Sequence, residues 1–136
     1  MSQKVSKVMA VSTQAPDQPG VAAGMAAVLR DRGIGLKAVW GWPEGDGMST
    51  IVSIPEQVEQ LRALAAAEGR VIEEIPMVWL EGPDETGALC GFFEKVGAAG
   101  INIGAMIALG VSDSFAAVFS FADEATVDRV VALMGG

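Results

Sequence analysis

Apolar positions along this chain alternate between a strand-like and a helix-like spacing, and that alternation occurs twice. Val5, Val8, Met9 and Val11 form an apolar run that predicts a strand from Lys4 to Thr13. After Ala15-Pro16-Asp17-Gln18-Pro19-Gly20, residues Val21, Met25, Val28 and Leu29 fall on one helical stripe, and Gly33 closes it. Pro19 suits the first helical position, with Asp17 or Gln18 near the N-cap. Ile34 to Trp42 and Met48 to Ile54 predict two strands joined by Pro43-Glu44-Gly45-Asp46-Gly47, a hairpin turn that matches no phosphate-binding motif. Pro55-Glu56 opens a second helix with Val58, Leu61, Leu64 and Ala65 inward; Gly69 ends it before a fourth strand, Arg70 to Ile75.

The order βαββαβ is the ferredoxin-like motif, with helices over one face of an antiparallel sheet. It then begins again. Displaced by 67 positions, Pro16-Asp17-Gln18-Pro19-Gly20 falls on Pro83-Asp84-Glu85-Thr86-Gly87. The same displacement puts Val11 on Val78, Gly24 on Gly91, Leu29 on Val96, Gly33 on Gly100 and Ser53 on Ser120. Glycine and proline mark backbone requirements, so their coincidence predicts a repeated fold. Met77 to Glu81 repeats the first strand, and Thr86-Gly87 starts a helix carrying Leu89, Phe92, Phe93 and Val96. Ile101 to Leu109 and Ser114 to Phe121 predict the hairpin about Gly110-Val111-Ser112-Asp113, and Asp123-Glu124 caps a last helix with Val127, Val130, Val131 and Met134 inward. The expected architecture is α+β, two tandem units at 1–75 and 76–136, the second lacking its last strand. A sheet edge left open in that way calls for cover, from another chain or from a segment of the first unit. With no linker between the units, one long strand kinked near Pro76 is expected to serve both.

Composition narrows the chemistry. At 51 % apolar but 6 % aromatic, the core must be built mainly from aliphatic side chains, and units this small need a packing partner. Net charge −8, without a basic run, disfavours nucleic acid. No secretory leader and no membrane span is expected, which makes a cytoplasmic protein the expectation. Histidine and tyrosine are absent and Cys90 is the single cysteine, which removes His-based acid–base catalysis, Cys/His zinc sites and intrachain disulfides. No metal or cofactor is expected, and Cys90 reads as a small filler on a helix. Trp40 and Trp42, at the mouth of the first hairpin, read as packing or interface residues.

Asp-x-Pro-Gly-Val-Ala-Ala (from Asp17) leading to Arg-Gly-Ile-Gly-Leu, with Gly87 onward ending in Ala-Gly-Ile-Asn-Ile, resembles the ACT domain. The segment from Pro16 to Ala23 is similar to the aspartokinase version, and the resemblance spans nearly the whole chain as two copies. It implies a non-catalytic sensor that binds a free amino acid, self-associates as a homodimer and modulates a partner enzyme or protein. Helix starts can hold the ligand's α-carboxylate, at Gly20 in one copy and at Glu85, Thr86 and Gly87 in the other. Asp17 and Asp84 lie where the α-ammonium would pair, although both also read as ordinary helix caps, and Gln18 is a further ligand-binding candidate. Asn102, beside Ile103, matches the family's effector-binding asparagine; its counterpart in the first copy is Gly35. A structural dimerisation module, or a small enzyme on the same scaffold, are the alternative readings.

Overall fold

The computed structural model describes residues 3–135. Its elements are β1 (Lys4–Pro16), α1 (Val21–Asp31), β2 (Leu36–Pro43), β3 (Met48–Pro55), α2 (Val58–Glu68), β4 (Glu73–Pro83), α3 (Cys90–Ala98), β5 (Met106–Val111), β6 (Ser114–Phe119) and α4 (Glu124–Leu133). This is the α+β pattern the apolar periods predict, βαββαβ followed by a second copy with no strand after its last helix among the described residues. The chain divides into two compact units. One is Met9–Ile75; the other joins the residues up to Val8 with those from Pro76 onward.

That division differs from the contiguous segments 1–75 and 76–136 at the N-terminus, and it supplies the strand that the second copy lacks. In the unit built from Pro76 onward, strands lie in the order β1-β4-β6-β5, with the first half of β1 as the fourth strand. Gln3 approaches Gly82 so closely that a Cβ there would lie 3.0 Å from its Cγ, and its amide donates to the Ala88 carbonyl at 2.6 Å. Val5 packs on the core, and Lys7 pairs with Glu124 at 2.5 Å and Asp128 at 2.9 Å on α4. The open edge is therefore covered by the chain's own N-terminal segment. In the unit Met9–Ile75 the order is β2-β3-β1-β4. β4 runs unbroken through Pro76, and the boundary between units falls just before that proline.

Repetition extends to the backbone. Gly33 and Gly100 both take left-handed φ, 67° and 74°, where a Cβ is strained. Each ends its helix with the same two bonds: Gly33 N–H to Arg30 and Ile34 N–H to Leu29, Gly100 N–H to Gly97 and Ile101 N–H to Val96. The hairpins break the repeat. Pro43 pairs with Ser49 across the first and Gly110 with Phe115 across the second, so the second turn is one residue shorter. Val11 faces Ser53, whereas its equivalent Val78 faces Phe119. The sequence match of Ser53 with Ser120 is thus not structural; Phe119 stands in the place of Ser53.

Several element ends also differ from expectation. Residues 101–105 are not strand; β5 begins at Met106, and β6 ends at Phe119. α3 begins at Cys90 rather than Thr86, because residues 86–89 form a turn first. α1 begins after Gly20 and α2 after Gln57, neither with a side-chain cap, so Asp17 and Pro19 lie in the turn before α1 and Pro55 is the last residue of β3. The Asp123 cap is present, its carboxylate accepting from the Thr126 N–H at 2.8 Å.

The cores of the two units are unequal. In the unit with Pro76 onward, Val78, Leu80, Phe92, Val96, Phe119 and Val130 are fully buried. Phe92 stacks on Phe119 at 4.5 Å, and Phe93 meets both edge-on at 6.1 and 6.0 Å. In the unit Met9–Ile75, α1 buries no residue fully.

Candidate pocket at the turn before the third helix

The second unit carries a pocket of about 550 Å³ where β4 turns towards α3. Asp84, Glu85 and Gly87 from the turn, Glu94 from α3 and Gly110 from β5 line it together with Leu89, Phe93, Leu109 and Phe115. The turn is built locally. Asp84 N–H donates to the Asp113 carbonyl at 2.8 Å, tying it to the hairpin, and the N–H groups of Ala88 and Cys90 donate to Glu85 and Gly87. Gly87 takes φ 77°, matching Gly20 at φ 85° in the other copy.

Gly110 is what lets Asp84 occupy this place. A Cβ at residue 110 would stand 2.7 Å from Asp84 Oδ2, so a side chain there would push the carboxylate from this position. The aspartate carboxylate therefore lies directly over the β5 backbone, at the pocket wall. In the first copy Asp17 makes the matching backbone bond, to the Gly47 carbonyl at 2.9 Å, but by strand pairing the place of Gly110 is held by Pro43.

Three carboxylates and no basic side chain line the pocket. The local field therefore favours a cation such as an ammonium. No group of three or more Cys, Asp or Glu residues suited to a metal ion occurs among the described residues. Leu89, Phe93, Leu109 and Phe115 add apolar lining. The start of α3 adds the partial positive charge of a helix N-terminus beside them.

Of the residues singled out from sequence, the structure brings Asp84, Glu85 and Gly87 to this pocket. Thr86 is exposed within the same turn. Asn102 is exposed in the segment between α3 and β5, off the pocket lining, and Ile103 packs on the core. Asp17 and Gln18 are exposed before α1; Gly20 borders a separate apolar cavity of the first unit. Gly35 lies against the Glu56 carboxylate, which a side chain there would displace. Cys90 is exposed rather than packed in the core, and its thiol donates to Glu94 at 3.6 Å. Gly110, Phe93 and Glu94 escape a reading of sequence motifs, since they converge only when β5 and α3 are placed beside the turn.

The titrating groups displaced from their ordinary ranges lie away from the pocket. Hydrogen bonds from Thr126 lower Asp123, and the Arg62 guanidinium lowers Glu74. Hydrogen bonds to Glu124 and Asp128 raise Lys7.

No protein-family model matches the chain, and no curated protein matches it by sequence. Solved structures do match. Protein BT0572 from Bacteroides thetaiotaomicron superimposes with a TM-score of 0.80 at 16 % identity, covering 94 % of this chain and 88 % of that one. The ligand-free regulatory subunit of aspartate kinase from Thermus thermophilus gives 0.62 at 17 % identity, covering 98 % and 94 %. E. coli aspartokinase III, in complex with lysine and aspartate, gives 0.56 at 14 % identity, covering 98 % of this chain and 32 % of the enzyme. Among the described residues no helix is long and apolar enough to cross a membrane. The chain thus has a tandem ACT-like fold, two ferredoxin-like units of the kind that make up aspartate kinase regulatory subunits.

Proposed function

We propose that the protein is a non-catalytic regulatory module, acting as a homodimer, that binds a free amino acid in the pocket of its second unit and thereby modulates a partner enzyme or protein. One observation carries the reading: the Asp84 carboxylate lies over Gly110 at a pocket lined by three carboxylates and by apolar side chains. Asp84 and Glu85 pair with the α-ammonium, the start of α3 faces the α-carboxylate, and Leu89 and Phe93 receive the side chain. The structurally similar aspartokinase III is described with two amino acids bound, which supports this ligand class. Regulation follows if two states of the protein differ in affinity for the ligand.

A thermal-shift screen of the proteinogenic amino acids tests the reading. A ligand at a hundredfold excess over its Kd adds about 2.7 kcal/mol of stability, well within detection. Calorimetric titration then assigns the site. Asp84→Ala should lose roughly ten- to hundredfold in affinity, the cost of a hydrogen bond to a charged group, and Asp17→Ala less. Asn102→Ala asks whether that side chain also reaches the ligand. Absence of any shift at millimolar amino acid would leave the structural dimerisation module as the better reading.

A further inference from the structure

The first unit contains a second pocket, of about 550 Å³ and partly open to solvent, between α1, α2 and the helix-facing side of its sheet. Val11, Met25, Leu29, Ile51, Ser53 and Leu64 are among its walls. Comparison of the two copies says what is missing from it. Phe92 and Phe93 of α3 stand at the places of Met25 and Ala26 in α1, and strand pairing puts Phe119 at the place of Ser53. Three rings in mutual contact in one copy are therefore a methionine, an alanine and a serine in the other, and all three smaller residues line the pocket. The five phenylalanines of the chain all lie beyond residue 90. The fold is the same, the aromatic filling is absent, and α1 is left with no fully buried residue. Interiors are otherwise packed without voids of this size.

The lining also restricts the occupant. Glu68 and Arg70 are its only charged residues, and they approach each other at 3.8 Å, so no net charge faces inward. The Thr13 hydroxyl is spent on the Val71 carbonyl at 3.3 Å. Ser53 adds one hydroxyl to a wall that is otherwise mostly aliphatic. The sheet and both helices of one unit line the space, and its volume lies in the range of small-molecule pockets.

We infer that this cavity is a binding site for an uncharged, ring-bearing apolar small molecule, whose rings take the volume that Phe92, Phe93 and Phe119 fill in the other copy. This site is separate from the acidic pocket of the second unit and does not rest on the amino-acid reading. A failed amino-acid screen leaves it untouched.

The neutral fluorophore N-phenyl-1-naphthylamine, titrated into the full chain, is the probe. Saturable, blue-shifted emission at one probe per chain is expected. Ser53→Phe and Met25→Phe restore the missing rings; each should weaken probe binding at least tenfold and raise the Tm. Circular dichroism identifies which variants are folded, and two variants guard against the loss of one. No saturable emission from the wild-type chain overturns the inference. So does undiminished binding in whichever of the filled variants is folded.

Discussion

Asp123 shows how one residue ties sequence to stability. Its carboxylate accepts from both the backbone N–H and the hydroxyl of Thr126, at 2.8 and 2.6 Å. These bonds favour the charged form, so Asp123 titrates below its ordinary 3.8 in the folded chain. Above 3.8 both folded and unfolded chains carry the charge and the cap contributes fully. As pH falls beneath that value the unfolded chain takes up its proton first, and the contribution fades until the folded carboxyl titrates. Urea midpoints measured from about pH 6 down to about pH 2.5 should therefore fall less steeply for Asp123→Ala than for the wild type. Parallel curves would show that the cap has no part in acid sensitivity. This cap was legible because Asp123 sits directly before an apolar stripe. The place of Asp84 over Gly110 was not, because it depends on a strand 26 residues further on.

Among the elements, β1 departs furthest from a reading of the chain in order. Its thirteen residues are divided between units: from Met9 it belongs with β2 and β3, while up to Val8 it completes the sheet of the other unit. A variant that begins at Met9 loses the strand beside β4, the Val5 packing and the Lys7 ion pairs, but keeps the whole Met9–Ile75 unit. Amide exchange at Val78 and Leu80 should become much faster in that variant, while Val52 and Ile54 keep their protection. Equal protection of Val78 before and after truncation would show that the N-terminal segment does not secure that edge. Sequence indicated that the second copy lacked a strand and that something must cover the edge. Which segment does so could not be read from local periodicity, since strand pairing joins residues roughly seventy positions apart.

For the whole molecule, exposed apolar side chains gather at a sheet edge. All six residues of β5 are exposed, including Met106 at 61 %, Leu109 at 54 % and Val111 at 64 %, and β5 is an end strand of its sheet. β2, the end strand in the other unit, exposes Val39 and Trp42. Apolar edges of this kind invite pairing with another chain. Net charge −8 opposes it, so screening by salt should strengthen association. Light scattering coupled to size exclusion is expected to give twice the 14.0 kDa chain mass at about 0.15 M salt, with monomer appearing as salt is removed. A monomer at high protein and high salt would count against the dimer.

The sequence by itself determined the element order, the twofold repetition and the exclusion of histidine chemistry. Those depend on short-range periods, on glycines at helix ends such as Gly33 and Gly100, and on composition. Tertiary structure alone decided three further matters. It assigned the N-terminal half of β1 to the second copy, because hydrogen-bonding between strands is indifferent to distance along the chain. It replaced the match of Ser53 with Ser120 by one with Phe119, because a turn shorter by one residue shifts every later pair by one. And it left a cavity in one unit where the other is filled, because packing compares volumes across elements, which no single stretch of sequence records.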